Sequence, residues 1–337
     1  MPHKITIQSS QHAFTAENEE TILEAALREG YDLPYGCRNG ACGSCKGRIV
    51  EGSVDHGKFD RKALSDAEIA SGMTLFCCAK PLTDLVVDCR EVKAAKDIQV
   101  KTLPCRVQKM IPTAKDTMIL KLKLPSNERL QFLAGQYIDI LLKEGKRRSF
   151  SLANAPHDDE FLELHIRNVA GGNFSQHVFT EMKEKDILRF EGPLGTFTLD
   201  EASEKPIILL ASGTGFAPIK SIVEHAFHAG IKREMTLYWG AYARADLYMP
   251  ELPEKWASEH DNFRFIPVLS DPLPGDNWTG RTGYVHQAVM QDHQDLSGFQ
   301  VYACGSPLMV QAASTDFVGR GLPRDAFFSD AFTFSPK

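Results

Sequence analysis

Three cysteines fall within nine residues, and this spacing constrains the fold more than any other feature of the chain. The segment reads Cys37-Arg-Asn-Gly-Ala-Cys42-Gly-Ser-Cys45, with glycines at 36, 40, 43 and 47. So many glycines exclude regular structure from Cys37 to Gly47 and let the backbone fold closely around a bound group. Because the N-terminus lacks the apolar core of a secretion signal, a metal site is favoured over a disulfide framework.

The C-x4-C-x2-C spacing is that of plant-type [2Fe–2S] ferredoxins, whereas zinc ligands usually come as two close pairs. A fourth ligand must come from a distant segment, and either Cys77 or Cys78 can supply it. LeuPheCysCysAlaLysPro (75–81) resembles the ferredoxin pattern Leu-x-Cys-x-Ala-x-Pro, and this resemblance selects Cys77. The predicted cluster ligands are Cys37, Cys42, Cys45 and Cys77. Cys78 is expected to pack beside them.

A chain of 337 residues is too long for one ordinary core, and its pattern changes twice. The first part reads as a hairpin, a helix over 21–29, the cysteine loop and short strands. Short alternating runs then predict a small antiparallel barrel or sandwich with one helix at 174–183. Buried strands that alternate with helices follow, as in a parallel α/β domain. The predicted fold is multidomain α+β and α/β: a cysteine-loop domain (1–92), a linker (93–103), an antiparallel β domain (104–200) and a parallel α/β domain (201–337).

Composition excludes several classes of function. The net charge is −6 and there is no long basic run, so nucleic-acid binding has no electrostatic support. A moderately acidic chain is compatible with docking on a basic patch of a protein partner. No apolar run approaches the roughly 18 residues of a membrane span, and we expect a cytoplasmic protein.

Arg148-Ser149-Phe150-Ser151, on a predicted barrel strand, resembles the R-x-Y-[ST] signature of the ferredoxin–NADP reductase superfamily. The resemblance implies that Arg148 binds the FAD pyrophosphate, that Phe150 stacks on the isoalloxazine and that Ser151 reaches flavin N5. Phe150 stands where the family usually has tyrosine, so stacking is kept but a phenol hydrogen bond is lost.

A second motif runs from His165-Ile166-Arg167 to Gly171-Gly172-Asn-Phe-Ser175. In the family, the equivalent G-G-x-x-S opens a helix whose amide groups hold the diphosphate. The residues that the resemblance assigns to cofactor binding in the barrel are Arg148, Ser149, Phe150, Ser151, His165, Ile166, Arg167, Gly171, Gly172 and Ser175.

A glycine-rich turn follows the strand PIILL, opens a helix and resembles the G-T-G-x-A-P form of the superfamily. Taken alone, such a turn could be a simple strand-to-helix connection. Cys304 belongs to a C-G-x-P-x-M motif and is expected beside the nicotinamide, although a buried core cysteine is the alternative. Phe332 is expected to cover the flavin or to pack on the domain. The predicted nicotinamide-binding residues are Gly213, Thr214, Gly215, Pro218, Cys304 and Gly305, and the predicted catalytic residues are Ser151, Cys304 and Phe332.

The end of the next strand bears on the choice between NADH and NADPH. Relatives often carry an arginine at the position of Tyr242, and here Arg244 lies two residues further on. A phosphate on the adenosine ribose would call for a cluster of arginines. Because this region has none, we expect NADH rather than NADPH.

All three parts, in this order, resemble the ferredoxin-first reductases of this superfamily, and most closely those that serve a sugar-nucleotide dehydrase. The segments that carry the likeness are 133–139, 147–156, 213–221, 282–289, 301–306 and 327–332. The resemblance implies a β-grasp [2Fe–2S] ferredoxin domain at 1–92, an antiparallel FAD-binding β-barrel at 104–200 and a parallel NAD(P)H-binding α/β domain at 201–337. It also implies electron flow from NADH through FAD and a [2Fe–2S] cluster to a protein acceptor, either a dehydrase or an oxygenase component. A redox-sensing cluster module is a third interpretation, which the flavin and nicotinamide motifs disfavour.

Overall fold

The computed structural model describes residues 2–31, 33–89 and 98–332, which form two units. One unit contains the described residues up to 89 together with 330–332, and the other contains 98–329. Among the helices in these ranges, none is long and apolar enough to cross a membrane.

The first unit is built on a five-stranded mixed sheet. Its strands are β1 (His3–Ile7), β2 (Ala13–Ala16), β3 (Lys46–Glu51), β5 (Met73–Leu75) and β7 (Leu85–Asp88), while β4 (Val54–Asp55) and β6 (Lys80–Pro81) form a separate pair. The order is β2-β1-β7-β3-β5, with β1 and β7 parallel. The predicted hairpin is confirmed, because β1 and β2 pair antiparallel.

Helix α1 (Ile22–Arg28) confirms the helix predicted over 21–29. It begins where Thr21 accepts a hydrogen bond from the amide of Glu24 at 3.2 Å, while the Glu24 carboxylate accepts one from the amide of Thr21 at 2.9 Å. This reciprocal capping satisfies two amides that the first turn would otherwise leave unpaired. A shorter helix, α2 (Asp66–Ala70), follows the cysteine loop and begins with the same arrangement at Ser65.

The cysteine loop is irregular from Cys37 to Cys45, as predicted, but the prediction is wrong for Gly47, which lies in β3. The reason is packing. A Cβ atom on Gly47 would come 2.2 Å from the ring of Phe76, which is fully buried in the core of this unit. Glycine is therefore needed here to admit an aromatic ring to the sheet face.

The second unit begins with the predicted antiparallel barrel. Its strands are β8 (Lys101–Ala114), β9 (Thr117–Lys123), β10 (Tyr137–Leu141), β11 (Arg147–Ser151), β12 (Leu162–Arg167) and β13 (Ile187–Leu194). The order is β11-β10-β13-β8-β9-β12, and Leu152 bridges Leu164 so that the two edges meet. Helix α3 (Asn173–Thr180) matches the predicted helix. The last three residues of the predicted linker 93–103 belong to β8, and residues 93–97 lie outside the described ranges.

A second six-stranded sheet follows, with helices between its strands. Its strands are β14 (Ile207–Ser212), β15 (Met235–Ala241), β16 (Phe263–Leu269), β17 (Arg281–Thr282), β18 (Gln300–Gly305) and β19 (Phe327–Ala331), and its helices are α4 (Phe216–His228), α5 (Glu251–Glu259), α6 (Val285–Asp292) and α7 (Pro307–Gly319). The order is β17-β16-β15-β14-β18-β19, and β14 pairs in parallel with both β15 and β18. The chain reverses its direction of winding between β14 and β18. The carboxyl ends of these two strands therefore flank the position where such sheets bind ligands.

Candidate functional site

The three clustered cysteines and Cys77 lie together in the first unit. Cys45 is buried, whereas Cys37, Cys42 and Cys77 are half-buried. Backbone amides point at the first two sulfurs: those of Ala41 and Cys42 donate to Cys37 Sγ at 3.4 and 3.3 Å, and that of Cys37 donates to Cys42 Sγ at 3.4 Å. Amide donors of this kind stabilise negative charge on sulfur. The loop is therefore shaped to hold thiolates.

The four sulfurs are arranged as two pairs. A hydrogen bond with Cys42 lowers the pKa of Cys37 to about 6, and a hydrogen bond with Cys45, followed by one with Cys78, lowers the pKa of Cys77 to about 3. The pKa values of Cys42 and Cys45 are raised, because each of these thiols is the protonated partner in its pair. Two pairs of cysteine sulfurs match the ligand set of two irons, two sulfurs to each.

The segment that carries Cys77 and Cys78 packs against the cysteine loop. Gly40 shows how closely the second segment approaches the loop. Its φ is +77°, and a Cβ atom there would come 2.7 Å from Cys78 Sγ. The four cysteine donors and this close approach are compatible with a thiolate-bound [2Fe–2S] cluster, and Cys77 stays the predicted fourth ligand.

The flavin motif lies on β11, at the edge of the barrel sheet. Arg148 is half-buried and donates to the carbonyl of Arg147 at 2.7 Å, and Ser149 donates to Asp139 in β10 at 2.6 Å. Phe150 packs against Phe174 of α3, with ring centroids 5.3 Å apart. The structure thus brings the first predicted FAD motif against the second.

The second motif forms the turn before α3. Gly171 has a φ of +76° and is exposed, and no side chain caps the helix at Gly172. The hydroxyl of Ser175 is buried and donates to the carbonyl of Gly172 at 3.1 Å, while it accepts from the amide of Val169 at 3.2 Å. Ser175 therefore holds the turn together, and the uncapped amides of α3 are the groups that could bind an anion.

His165 has partners that the sequence did not predict. Its side chain is fully buried, with Nδ1 2.7 Å from the hydroxyl of Tyr248 and Nε2 3.0 Å from Glu163 Oε1. Burial lowers the pKa of His165, so the ring is neutral. An ionised Glu163 accepts from Nε2–H, and Nδ1 must then accept from Tyr248 O–H. Ile166, which was predicted to bind cofactor, lies in the barrel core.

Lys220 of α4 extends this network. Its Nζ is 3.4 Å from Glu163 Oε1 and donates to Glu224 at 2.9 Å and to the carbonyl of Ala153 at 3.2 Å. Burial raises the pKa of Glu163, but the hydrogen bond from His165 and the charges of Lys220 and Lys121 outweigh it and lower the pKa to about 2. The network joins barrel strand β12 to the helix that follows the glycine-rich turn.

Replacing Glu163 should change the stability of the protein in acid. The ionised carboxylate favours the native state, because its pKa falls from 4.5 to about 2 on folding. This stabilisation is complete above pH 4.5 and is lost as the pH falls towards 2, a loss of about 3 kcal/mol. We expect Glu163→Gln to flatten the decline of the unfolding free energy over this range, measured by urea titration with tryptophan fluorescence. Glu160→Gln, at an exposed position, is the control, and equal slopes for both variants would contradict the assignment.

The glycine-rich turn lies between β14 and α4, as predicted. A Cβ atom on Gly215 would come 2.1 Å from the carbonyl oxygen of Cys304, so the turn can approach β18 only without a side chain. The indole of Trp239 donates to the carbonyl of Gly213 at 3.0 Å, and Arg167 of the barrel lies 3.4 Å from the Cβ position of Gly213. The flavin and nicotinamide motifs therefore meet at this turn.

The remaining predicted residues lie close to the same turn or at the end of the described chain. Thr214 and Pro218 are buried, and Gly305 ends β18 with a φ of +133°. Cys304 is completely buried. Phe332 is half-buried and directly follows β19. Its role as a cover for the flavin stays a prediction.

Three residues of the buried network were missed by the sequence analysis. Tyr248 lies in an irregular segment before α5, and nothing in its neighbourhood resembles a motif. Glu163 and Lys220 could have been predicted to form a buried ion pair, because each places a charge inside an apolar strand or helix (FLELHI and FAPIKSIV). Charges at such positions are rarely tolerated unless they are paired.

Family comparisons match the three parts of the chain in order. Residues 5–82 match the family described as the 2Fe-2S iron-sulfur cluster binding domain. Residues 104–199 match the oxidoreductase FAD-binding domain, and residues 209–315 match the oxidoreductase NAD-binding domain. The chain therefore has domains for a [2Fe–2S] cluster, for FAD and for a nicotinamide dinucleotide.

Relatives match over nearly the full length. The CDP-6-deoxy-L-threo-D-glycero-4-hexulose-3-dehydrase reductase of Yersinia pseudotuberculosis is 42% identical over 334 residues, which is 98% of this chain and 99% of that protein. A reductase component of terephthalate 1,2-dioxygenase from Comamonas is 34% identical over 338 residues, covering 100% of this chain and 99% of that protein. Among solved structures, a cytochrome P450 reductase from Amycolatopsis has a TM-score of 0.77 at 34% identity and covers 98% of both chains.

Proposed function

The chain belongs to the ferredoxin-first reductases of the ferredoxin–NADP reductase superfamily, and we propose that it passes electrons from NADH to a sugar-nucleotide dehydrase. The family assignment makes it an electron-transfer oxidoreductase with iron–sulfur, FAD and NAD domains. The identity of the electron acceptor, a sugar-nucleotide dehydrase, is the part of this function that we propose. Its strongest support is the 42% identity, over almost the whole of both chains, to a reductase named for such a dehydrase.

The residues proposed to serve this electron path are the predicted cluster ligands of the first unit and the predicted cofactor-binding residues of the second. Cys37, Cys42, Cys45 and Cys77 would ligate the cluster. Arg148, Phe150 and Ser151 of β11 would bind the FAD pyrophosphate and the flavin ring, and the uncapped amides of α3 would receive phosphate oxygens. When bound, FAD supplies two-electron chemistry with the nicotinamide and one-electron chemistry with the cluster. We further propose that the protein works in the cytoplasm, where NADH is replenished.

NADH is the proposed donor because of the charges at the carboxyl end of β15 and β16. The backbone amide of Asp271 donates to the carbonyl of exposed Tyr242 at 2.9 Å, which places an acidic residue beside the end of β15. A carboxylate in this position can accept a hydrogen bond from a ribose 2′-hydroxyl and repels a 2′-phosphate. The guanidinium of Arg244 donates to the carbonyl of Asp276 at 3.3 Å, which directs it towards the protein.

Replacing Asp271 with asparagine should weaken the preference for NADH. We expect the ratio of kcat/KM for NADH to kcat/KM for NADPH to fall by about 10-fold, because the repulsion of the 2′-phosphate is removed. Steady-state ferricyanide reduction with each nucleotide measures the ratio. Asp295→Asn, in an exposed loop of the same unit, is the charge-matched control. An unchanged ratio, or an equal change in the control, would show that Asp271 does not set the choice.

Reconstitution with a purified partner tests the acceptor directly. The protein, the hexulose-3-dehydrase of Yersinia pseudotuberculosis and its CDP-6-deoxy-4-hexulose substrate are combined without oxygen. We expect NADH oxidation that depends on both the dehydrase and its substrate, together with formation of reduced sugar product. NADH oxidation that is independent of the dehydrase, with no product formed, would remove this proposal.

An oxygenase component is the second candidate acceptor. The 34% identity to a terephthalate dioxygenase reductase, again over the full length, favours it. The same preparation can be mixed with the terephthalate dioxygenase oxygenase component, terephthalate and oxygen. Turnover of terephthalate at a rate above that with the dehydrase would replace the first proposal with the second.

A further inference from the structure

We infer that the surface beside the cysteine loop is a basic docking site for an acidic electron-acceptor protein. The inference rests on the proposed function, since it requires that electrons leave from the iron–sulfur domain. It reverses the expectation from net charge, because a chain of net charge −6 would by itself suggest a basic partner.

The docking surface consists of residues 57–62, which pack on the cysteine loop. The amide of Asp60 donates to the carbonyl of Gly40 at 3.1 Å. A Cβ atom on Gly40 would lie 3.0 Å from the carbonyl oxygen of Lys58 and from Cα of Phe59. This segment is therefore in direct contact with the loop that carries three of the four cluster cysteines, and a protein bound to it lies next to the cluster.

Positive charge is concentrated here. Residues 36–47 and the docking surface together carry five positive side chains, Arg38, Lys46, Lys58, Arg61 and Lys62, and one negative side chain, Asp60. The carboxylate of Asp60 accepts a hydrogen bond from the amide of Lys62 at 2.9 Å. When Glu68 and Asp66, the ion-pair partners of Lys46 and Arg61, are counted as well, the net charge of this region is +2, whereas that of the whole chain is −6.

The two lysines of the docking surface are available to a partner. Lys58 and Lys62 are exposed, and neither forms an ion pair with any residue that the structure describes. The other basic side chains are already engaged: Lys46 pairs with Glu68 at 2.6 Å, and Arg61 pairs with Asp66. The carboxylate of Asp330 also lies near the loop, 3.6 Å from the Cβ position of Gly36, so the basic character belongs to the side formed by 57–62.

The surface also has the residue types of a protein interface. The guanidinium of Arg61 lies 5.4 Å from the ring centroid of Phe59, which is half-buried. Aromatic residues and arginine are enriched at such interfaces, and complementary charge steers the encounter and fixes its orientation. Single electrons transfer efficiently only over short distances, so an acceptor must dock close to Cys37 and Cys42, the half-buried edge of the loop. An acceptor with an acidic face meets both requirements.

Two haem proteins of opposite charge test the inference on the complete holoprotein. Acidic cytochrome b5 and basic cytochrome c are reduced with NADH at low and at high ionic strength. For Lys58→Glu/Lys62→Glu we expect kcat/KM for cytochrome b5 to fall by about 10-fold at low salt, and kcat/KM for cytochrome c to rise. Both effects should shrink at high salt, because ions screen exposed charges. Stopped-flow reduction of the flavin by NADH should not change.

The control variants separate a local effect from a general one. Lys4 is exposed on β1, two strands from β3 in the sheet order, so Lys4→Glu changes the net charge as Lys58→Glu does. Equal effects of these two single variants would overturn the inference. A second result would also overturn the inference. If the double variant changed the rates with cytochrome b5 and cytochrome c in the same direction, and also shifted the midpoint potential of the cluster, the lysines would only tune the cluster. A wild-type protein whose flavin is not reduced by NADH would overturn the proposed function itself, and the docking inference with it.

Discussion

Cys77→Ser should reduce NADH-driven reduction of cytochrome c by about 100-fold or more, whereas Cys78→Ser should leave it close to wild type. The two cysteines are adjacent in sequence, with sulfurs 3.6 Å apart, but only Cys77 forms a hydrogen-bonded pair with Cys45. Serine in place of a ligand removes a thiolate from one iron. Serine in place of its neighbour leaves the ligand thiolate in place and keeps a hydroxyl that can still donate to Cys77 Sγ.

Ferricyanide distinguishes loss of the cluster from loss of the whole enzyme. It can take electrons at the flavin, so NADH-dependent ferricyanide reduction should persist in both variants. Iron and acid-labile sulfide analysis should show a depleted cluster in Cys77→Ser and a full one in Cys78→Ser. If the two variants lose cluster in equal measure, or if Cys78→Ser is the more damaging, the assignment of the fourth ligand is wrong.

Gly215→Ala should lower the rate of flavin reduction by NADH by about 100-fold, because small displacements of bound reactants carry costs of this size. The Cβ atom of the new alanine would come 2.1 Å from the carbonyl oxygen of Cys304. The ends of β14 and β18 cannot easily move apart to make room for it. β14 pairs with β18 through Ala211 and Cys304, and Trp239 holds the turn from its other side. The turn must therefore move away from β18, and the nicotinamide with it.

Reduction of the cluster by dithionite shows whether the effect of Gly215→Ala is confined to the nicotinamide-binding turn. In Gly215→Ala, chemical reduction of the cluster by dithionite should be as complete as in the wild type, because the substitution lies in the other unit. Gly275→Ala is the matched control, since nothing lies within 4 Å of its Cβ position. Unchanged flavin reduction in Gly215→Ala would mean that the turn does not position the dinucleotide.

Local patterns in the sequence were enough to predict most of the architecture. The spacing of Cys37, Cys42 and Cys45 predicted the metal loop, and alternating or continuous apolar runs predicted the strands of the barrel and the four central strands of the second sheet, but not β17 or β19. Helix α5 was missed because it spans only nine residues and contains Pro253, a residue that usually interrupts a helix. Gly47 was placed in the loop because the need for a glycine there comes from Phe76, which lies 29 positions further along the sequence.

The parts of the site that could not be predicted depend on long-range pairing. His165 matched a family motif, but its hydrogen bond to Tyr248 spans 83 positions, and no local pattern encodes such a contact. The docking surface was hidden for a different reason. Net charge sums over the whole chain, whereas the approach of a partner is governed by the charge near the contact. The lysines are connected with the cluster loop by contacts of Lys58, Phe59 and Asp60 with Gly40, which the sequence does not reveal.

An anaerobic titration with NADH, followed by visible absorption and by low-temperature electron paramagnetic resonance, tests the central claim most directly. The claim is that one chain carries both a flavin and a [2Fe–2S] cluster ligated by Cys37, Cys42, Cys45 and Cys77, and that NADH reduces both. We predict bleaching of the flavin and cluster bands, a rhombic paramagnetic signal and an uptake of about three electrons per chain, two by FAD and one by the cluster. An uptake of only two electrons with no paramagnetic signal, even after dithionite is added, would contradict the account.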